Sequence, residues 1–253
     1  MPESVASLAR LRRRLARLER APPRDGVRFA TGHAAVDRWL GGGLSRGRLH
    51  EIVAAASEDA GAAAGFGAML AMLAGEARPL LWLRTDAAER RGGKLHAGGL
   101  HAVGVAVGAM VLALVADDDA LLRAANDAAR CAGIGALVVE AWDDPRALDL
   151  TATRRLMLAA EASGVTVLLL RIAARESPSV ADTRWRVAPS SSRPVADGGE
   201  GAPGHPAFEI ELLRRRAGPA GGVWRVEWNR ERRAFQEPEA APLPGVVLPV
   251  AAG

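Results

Sequence analysis

The sequence predicts an α/β fold: a mostly parallel, twisted sheet flanked by helices, with an N-terminal helix ahead of it and a C-terminal antiparallel hairpin behind it. Three observations lead there. From residue 27 onward, short apolar runs bounded by turn residues alternate with stretches of helical length. Runs such as LLWLR, ALVVE and VTVLLLR are apolar without alternation, as expected of strands buried on both faces of a parallel sheet. Their β-α-β order points to a crossover-connected core.

In chain order, residues 4–19 read as a helix. Ser4 is the N-cap, and Leu8, Leu11, Leu15 and Leu18 recur at three- and four-residue spacing with arginines between them. Ala21-Pro22-Pro23 ends the helix. So short a stripe either packs on its own domain or offers a narrow seam to a partner, and the two prolines leave both open. The segment from Phe29 to Val53 reads as a short strand, a helix capped by Thr31 and running through Leu40, a turn at Gly41–Gly43, and a strand from Leu49. Further strands are expected at Leu49–Ala54, Pro79–Arg84, Met110–Val115, Ala136–Glu140 and Val165–Ile172, with helices at Ala62–Leu73, Asp119–Cys131 and Leu150–Ala162. Ser190 to Pro206 is Ser/Gly/Pro-rich and reads as a flexible loop. Phe208–Arg215 and Val223–Trp228 alternate apolar and polar residues around AGPAGG, a hairpin signal. Pro238 to Gly253, with four prolines, reads as an extended tail. The expected organisation is therefore 1–24 (helix and linker), 25–236 (the α/β domain) and 237–253 (tail).

Composition narrows the class. The 253 residues are 49% hydrophobic and 25% charged, enough for a sizeable core. One cysteine, Cys131, excludes an internal disulfide or a cysteine metal site, and a cytoplasmic location is expected. The N-terminus carries charge throughout and has no apolar h-region, so it is not read as a signal peptide. The longest apolar run, 104–116, is too short to cross a bilayer. Net charge is +4, a basic bias compatible with nucleic acid. All but one of the 33 basic residues are arginine, Lys94 being the exception, and tyrosine is absent, a bias typical of GC-rich coding.

The string Thr31-Gly32, Asp37, Leu40-Gly41-Gly42-Gly43-Leu44, Gly47 and Glu51-Ile52 resembles the segment that leads into the nucleotide-binding loop of RecA-family ATPases. With Thr183–Val187 and FEIELLRRRAG…GGVWRVEWN at 208–229, the chain over residues 27–236 resembles the ImuA family, RecA-like and SulA-like accessory proteins of bacterial mutagenesis cassettes. That resemblance implies a RecA-like core. It also implies a role beside an ImuB-like inactive Y-family polymerase homologue and a DnaE-type error-prone polymerase in damage-induced translesion synthesis. Self-association or contact with RecA would be further partners.

A RecA-type ATPase needs G-x-x-x-x-G-K-[ST] after the first core strand: glycines to curl backbone N–H groups round the phosphates, lysine for charge, and a hydroxyl for Mg²⁺. Here Ala54–Gly61 reads AAASEDAG, with Ser57, Glu58, Asp59 and Gly61 but no lysine, and two carboxylates that would repel a triphosphate. Lys94 lies beyond the next strand and reads as a solvated loop residue. Arg46 or Arg48 could approach a phosphate, although no spacing demands it. Asp86 and Glu140 stand near the resemblance's catalytic glutamate and metal-orienting carboxylate, and Arg171-Ile172 replaces its polar amide pair. Without a phosphate cradle, Asp86 and Glu140 read as structural, no cofactor or metal is expected, and no nucleophilic triad emerges.

The two stretches matching DNA-binding loops are short and offer Trp142, Arg146 and Arg175. One of the two stretches also carries two aspartates, so DNA contact is expected to be weak or indirect; the Arg214–Arg216 cluster, with Arg225, Arg230, Arg232 and Arg233, forms the best basic patch. The sequence therefore reads as a non-catalytic adaptor whose partner-binding surfaces are the helix with Leu8, Leu11, Leu15 and Leu18 and the C-terminal hairpin with its tail. Its rivals are a divergent ATPase or recombination mediator and a SulA-like cell-division inhibitor.

Overall fold

A computed structural model describes residues 27–175, 177–192 and 204–238. The expected N-terminal helix with Leu8, Leu11, Leu15 and Leu18, residues 193–203 of the expected loop, and the tail from 239 lie outside the described residues. Chain order is β1 (Arg28–Phe29), α1 (Ala34–Leu40), β2 (Leu44–Ser45), β3 (Leu49–Ala54), α2 (Ala60–Gly75), β4 (Leu80–Thr85), α3 (Asp86–Gly92), α4 (Ala97–Ala102), β5 (Met110–Val115), α5 (Asp118–Ala128), β6 (Ala136–Trp142), α6 (Leu150–Ser163), β7 (Thr166–Ile172), β8 (Thr183–Pro189), β9 (Ala207–Arg215), β10 (Val223–Asn229) and β11 (Ala234–Gln236).

Nine strands form one sheet in the order β11-β10-β9-β8-β3-β7-β6-β4-β5, and β1 pairs with β2 apart from it. The six strands from β8 to β5 are parallel, and β8, β9, β10 and β11 continue the sheet antiparallel. All seven residues of β7 are buried, which is why its composition shows no alternation. The expected mostly parallel sheet with flanking helices is present. The expected hairpin is part of a larger unit, because β8 and β11 flank it in the same sheet.

The two faces carry separate cores. One is built on α5 and α6, the other on α2. Helix α2, AGAAAGFGAMLAMLAG, has no polar face because the antiparallel strands wrap the side that the parallel strands leave open. Phe66 of α2 meets Phe208 and Phe235 at 5.8 and 5.1 Å between ring centroids. Trp228 packs on Phe235 at 4.9 Å, and its indole N–H donates to Val103 O at 2.8 Å, linking the antiparallel end to the segment ahead of β5. At Gly67 a Cβ would lie 2.9 Å from Leu170, so glycine lets α2 sit close on β7.

Thr31 does not cap α1. His33 does, its Nδ1 accepting from Val36 N, while Thr31 is held by Asp37, which accepts from the Thr31 N–H (2.8 Å) and hydroxyl (2.9 Å). Residues 86–102, for which no element was expected, hold α3 and α4, capped by Thr85 and His96. Lys94 is exposed between them. The 104–116 run supplies the edge strand β5, and no helix among the described residues is long and apolar enough to cross a membrane.

Candidate functional site

In this kind of sheet, ligands bind outside the carboxyl ends of the parallel strands. There β3 leads through a single 3-10 turn, Ser57–Asp59, into α2. Ser57 and Glu58 are exposed, and the Ser57 hydroxyl donates to Glu58 at 3.3 Å. Asp59 immediately precedes α2, so its carboxylate and that of Glu58 stand at the positive end of the helix, where a RecA-type site would hold phosphate. Gly61 lies within the helix, its φ outside the left-handed range, and a Cβ there would meet nothing within 4 Å. The loop therefore lacks the curled backbone of a phosphate cradle, and the residues present do not fit a nucleotide triphosphate.

The next two strand ends hold the carboxylates. Asp86 is exposed at the first position of α3. Glu140 is 4% exposed and turned inward. Its Oε2 accepts from Trp82 Nε1 at 3.0 Å, and its Oε1 from Trp142 Nε1 at 2.7 Å and Arg84 at 3.0 Å. Arg84 also donates to the carbonyls of Ala88 and Gly93, both at 2.9 Å. Both oxygens of Glu140 are thus engaged by the protein itself, and Asp86 has no share in that cluster. Among the described residues no group of three His, Cys, Asp or Glu is arranged to hold a metal.

The DNA candidates fall at opposite ends of the strands. Trp142, Arg146 and Arg175 lie beyond the carboxyl ends of β6 and β7. The Arg91 guanidinium lies 5.0 Å from the centre of the Trp142 ring, and Arg91 pairs with Asp143, holding that carboxyl below its usual range. Arg171 binds Asp144 at 3.0 Å, and Asp144 accepts from the backbone N–H of Arg175 at 3.0 Å, so the two short loops are tied to each other. Arg146 and Arg175 are exposed.

Arg214 and Arg216 lie at the other end, where β9 finishes beside the start of β8. Arg214 donates to the carbonyls of Ser179 and Ala181 at 2.7 and 2.8 Å. Arg216 reaches toward Glu161 at 3.9 Å and borders a cleft with Arg28, Arg48 and Arg215. Arg46 and Arg48 are also at this end. They precede β3, so neither approaches Ser57–Gly61, and Arg46 is buried against the carbonyls of Leu73 and Ala74. Sequence reading missed Arg28 and offered Arg215 only as a member of the basic patch. The signal that could have found them was the Gly41–Gly43 turn, whose flanking carbonyls they bind.

Nearby, buried His50 completes a hydrogen-bond chain. The Trp185 indole donates to the Thr183 hydroxyl (2.8 Å), which donates to His50 Nδ1 (2.8 Å), and His50 Nε2–H donates to Ser45 O (2.8 Å). Burial lowers the His50 pKa, keeping the ring neutral.

The fold is that of a RecA-like core. The RadB recombinase structure superposes with a TM-score of 0.54 at 15% identity, covering 83% of this chain and 100% of RadB. No family model matches the sequence. Protein ImuA of Caulobacter vibrioides, in strains NA1000 and CB 15 alike, is 32% identical over 196 residues, covering 72% of this chain and 75% of the relative. With the RecA-like sheet and that shared length, the chain belongs to the ImuA family.

Proposed function

We propose that this protein is a non-catalytic, RecA-like adaptor of an error-prone translesion synthesis complex in the cytoplasm. It binds an ImuB-like inactive Y-family polymerase homologue and a DnaE-type polymerase. Family membership supports the accessory role. The observation that carries the non-catalytic part is the position of Glu58 and Asp59 at the start of α2, where they put negative charge in the place a triphosphate would need. The leucine stripe of residues 4–19 is the surface assigned to docking. Four leucines at about 1.5–3 kcal/mol each supply several kcal/mol before ordering costs.

The test pairs calorimetry with capture. Titration with Mg-ATP is expected to be flat, and the immobilised full chain is expected to retain the ImuB-like protein and the DnaE-type polymerase. Leu11→Asp with Leu15→Asp should weaken that capture while leaving the melting transition of the core unchanged. Mg²⁺-dependent nucleotide affinity tighter than about 100 μM, roughly −5.5 kcal/mol, with turnover lost in Glu140→Gln, would make the protein a divergent ATPase or recombination mediator. Capture of a tubulin-like division protein in place of the polymerases would make it a SulA-like inhibitor.

A further inference from the structure

The cleft at the amino ends of β3 and β8 has no part in the adaptor reading, yet it gathers charge from five separate segments. It encloses about 510 Å³, and its charged rim is Arg28, Arg48, Arg215, Arg216, Glu161 and Asp182. Arg48 and Arg216 share Glu161. Arg28 and Arg215 are held differently. Arg28 Nη1 donates to Leu40 O at 3.1 Å and Gly43 O at 2.8 Å, and Arg215 donates to Trp39 O at 2.7 Å and Leu40 O at 2.8 Å. The Leu40 carbonyl therefore accepts from both guanidiniums, and no carboxylate among the described residues pairs with either.

The glycine turn builds this arrangement. Gly41, Gly42 and Gly43 have φ of 69°, 107° and 103°, and at Gly43 a Cβ would lie 2.0 Å from Phe29 O. The turn is thus pressed onto β1 with the carbonyls that end α1 aimed at the two arginines, the favourable partner for cations at a helix C-terminus. Each guanidinium spends two of its five N–H donors on carbonyls and keeps three. Among the described residues that line the cleft, four guanidiniums stand against two carboxylates. Ser45 lies on the same wall.

We propose that this cleft binds phosphate esters. Two guanidiniums sharing one carbonyl repel each other, and a tetrahedral oxyanion with several acceptors relieves that repulsion while taking up their remaining forks. The volume exceeds what a lone carboxylate fills. The ester is either a backbone phosphodiester of single-stranded DNA or a free nucleotide. The site is distinct from the Ser57–Gly61 loop, which lies at the far end of β3, about 20 Å away at roughly 3.3 Å per residue.

The test uses the full chain at 50 mM salt, with a fluorescein-labelled oligo(dT) followed by anisotropy and dAMP followed by calorimetry. Arg28→Gln with Arg215→Gln is expected to weaken binding at least tenfold, and for oligo(dT) to make the slope of log K against log salt less negative by about 1.4. Arg146→Gln with Arg175→Gln should leave binding unchanged. Asp182→Asn, which removes a negative charge from the rim, should tighten binding at least twofold, a gain that misfolding cannot imitate. It decides the matter if the double arginine variant does not fold. Competition between the probes assigns the source: displacement of dAMP by oligo(dT) points to DNA, and dAMP binding alone points to a nucleotide. The proposal fails if neither probe binds, if Asp182→Asn weakens binding, if only the Arg146/Arg175 variant loses it, or if a poly-glutamate peptide binds where both phosphates do not.

Discussion

Arg84 and Glu140 lie in register on neighbouring strands β4 and β6, 3.0 Å apart, with 2% and 4% of their surfaces exposed. Two indole N–H groups complete the pair from Trp82 and Trp142. A carboxylate held this way stabilises the sheet as long as all its partners stay. Glu140→Leu should therefore cost about 3–5 kcal/mol, since it leaves the buried Arg84 without its counter-charge and both indoles without their acceptor. Glu140→Gln, which keeps an acceptor, should cost clearly less. Urea denaturation of the two variants measures the difference. If both are as stable as the wild type, the structural role assigned to Glu140 is wrong.

His50 and His33 make stability depend on pH. Burial is the main cause of the lowered pKa of each. At His50 Asp182 and the Ser45 carbonyl oppose it, while Arg48 and Arg28 add to it. As pH falls through about 6.5, the unfolded chain takes up protons that the folded chain refuses. The unfolding free energy then drops by up to about 1.4 kcal/mol per pH unit for each such group. Chemical denaturation between pH 7.5 and 5 should show this loss. His50→Gln should be less stable at pH 7.5 and have the shallower slope.

Two glycines respond oppositely to an added methyl group. Gly61 sits in the first turn of α2 with open space where a Cβ would go, so Gly61→Ala should stabilise the protein by up to about 1 kcal/mol. Gly43→Ala must move Phe29 and strain a φ of 103°, and should destabilise by several kcal/mol. Thermal melting distinguishes the two. A destabilised Gly61→Ala would reveal a cradle after all.

Strand β5, MVLALV, is a sheet edge without a charged residue, and Leu112 and Leu114 are 40% and 43% exposed. Unpaired apolar edges of this kind associate. Leu112→Lys with Leu114→Lys should raise the temperature at which light scattering begins, with little change in the unfolding midpoint. Unchanged scattering would show that the edge is not where aggregation starts.

The buried strands were legible because each carries its own signal. LLWLR, ALVVE and VTVLLLR are apolar on both faces whatever surrounds them, and β3 to β7 follow the expected segments closely. The missing lysine and the acidic Glu58 and Asp59 were equally readable, since a phosphate loop is a local motif. Short elements were not. The seven- and six-residue helices α3 and α4 and the three-residue β11 are too brief for periodicity to accumulate. The cap of α1 depended on which side chain was free: Asp37 holds Thr31, and that leaves His33 to accept from Val36 N. Glu140 meets Trp82 across 58 residues of chain, and Arg215 meets Leu40 across 175. Secondary structure and the absence of the G-x-x-x-x-G-K-[ST] string after β3 follow from neighbours in sequence. The partners of a buried carboxylate and the gathering of arginines at one end of the strands depend on which distant segments the fold brings together, and only the tertiary structure decides that.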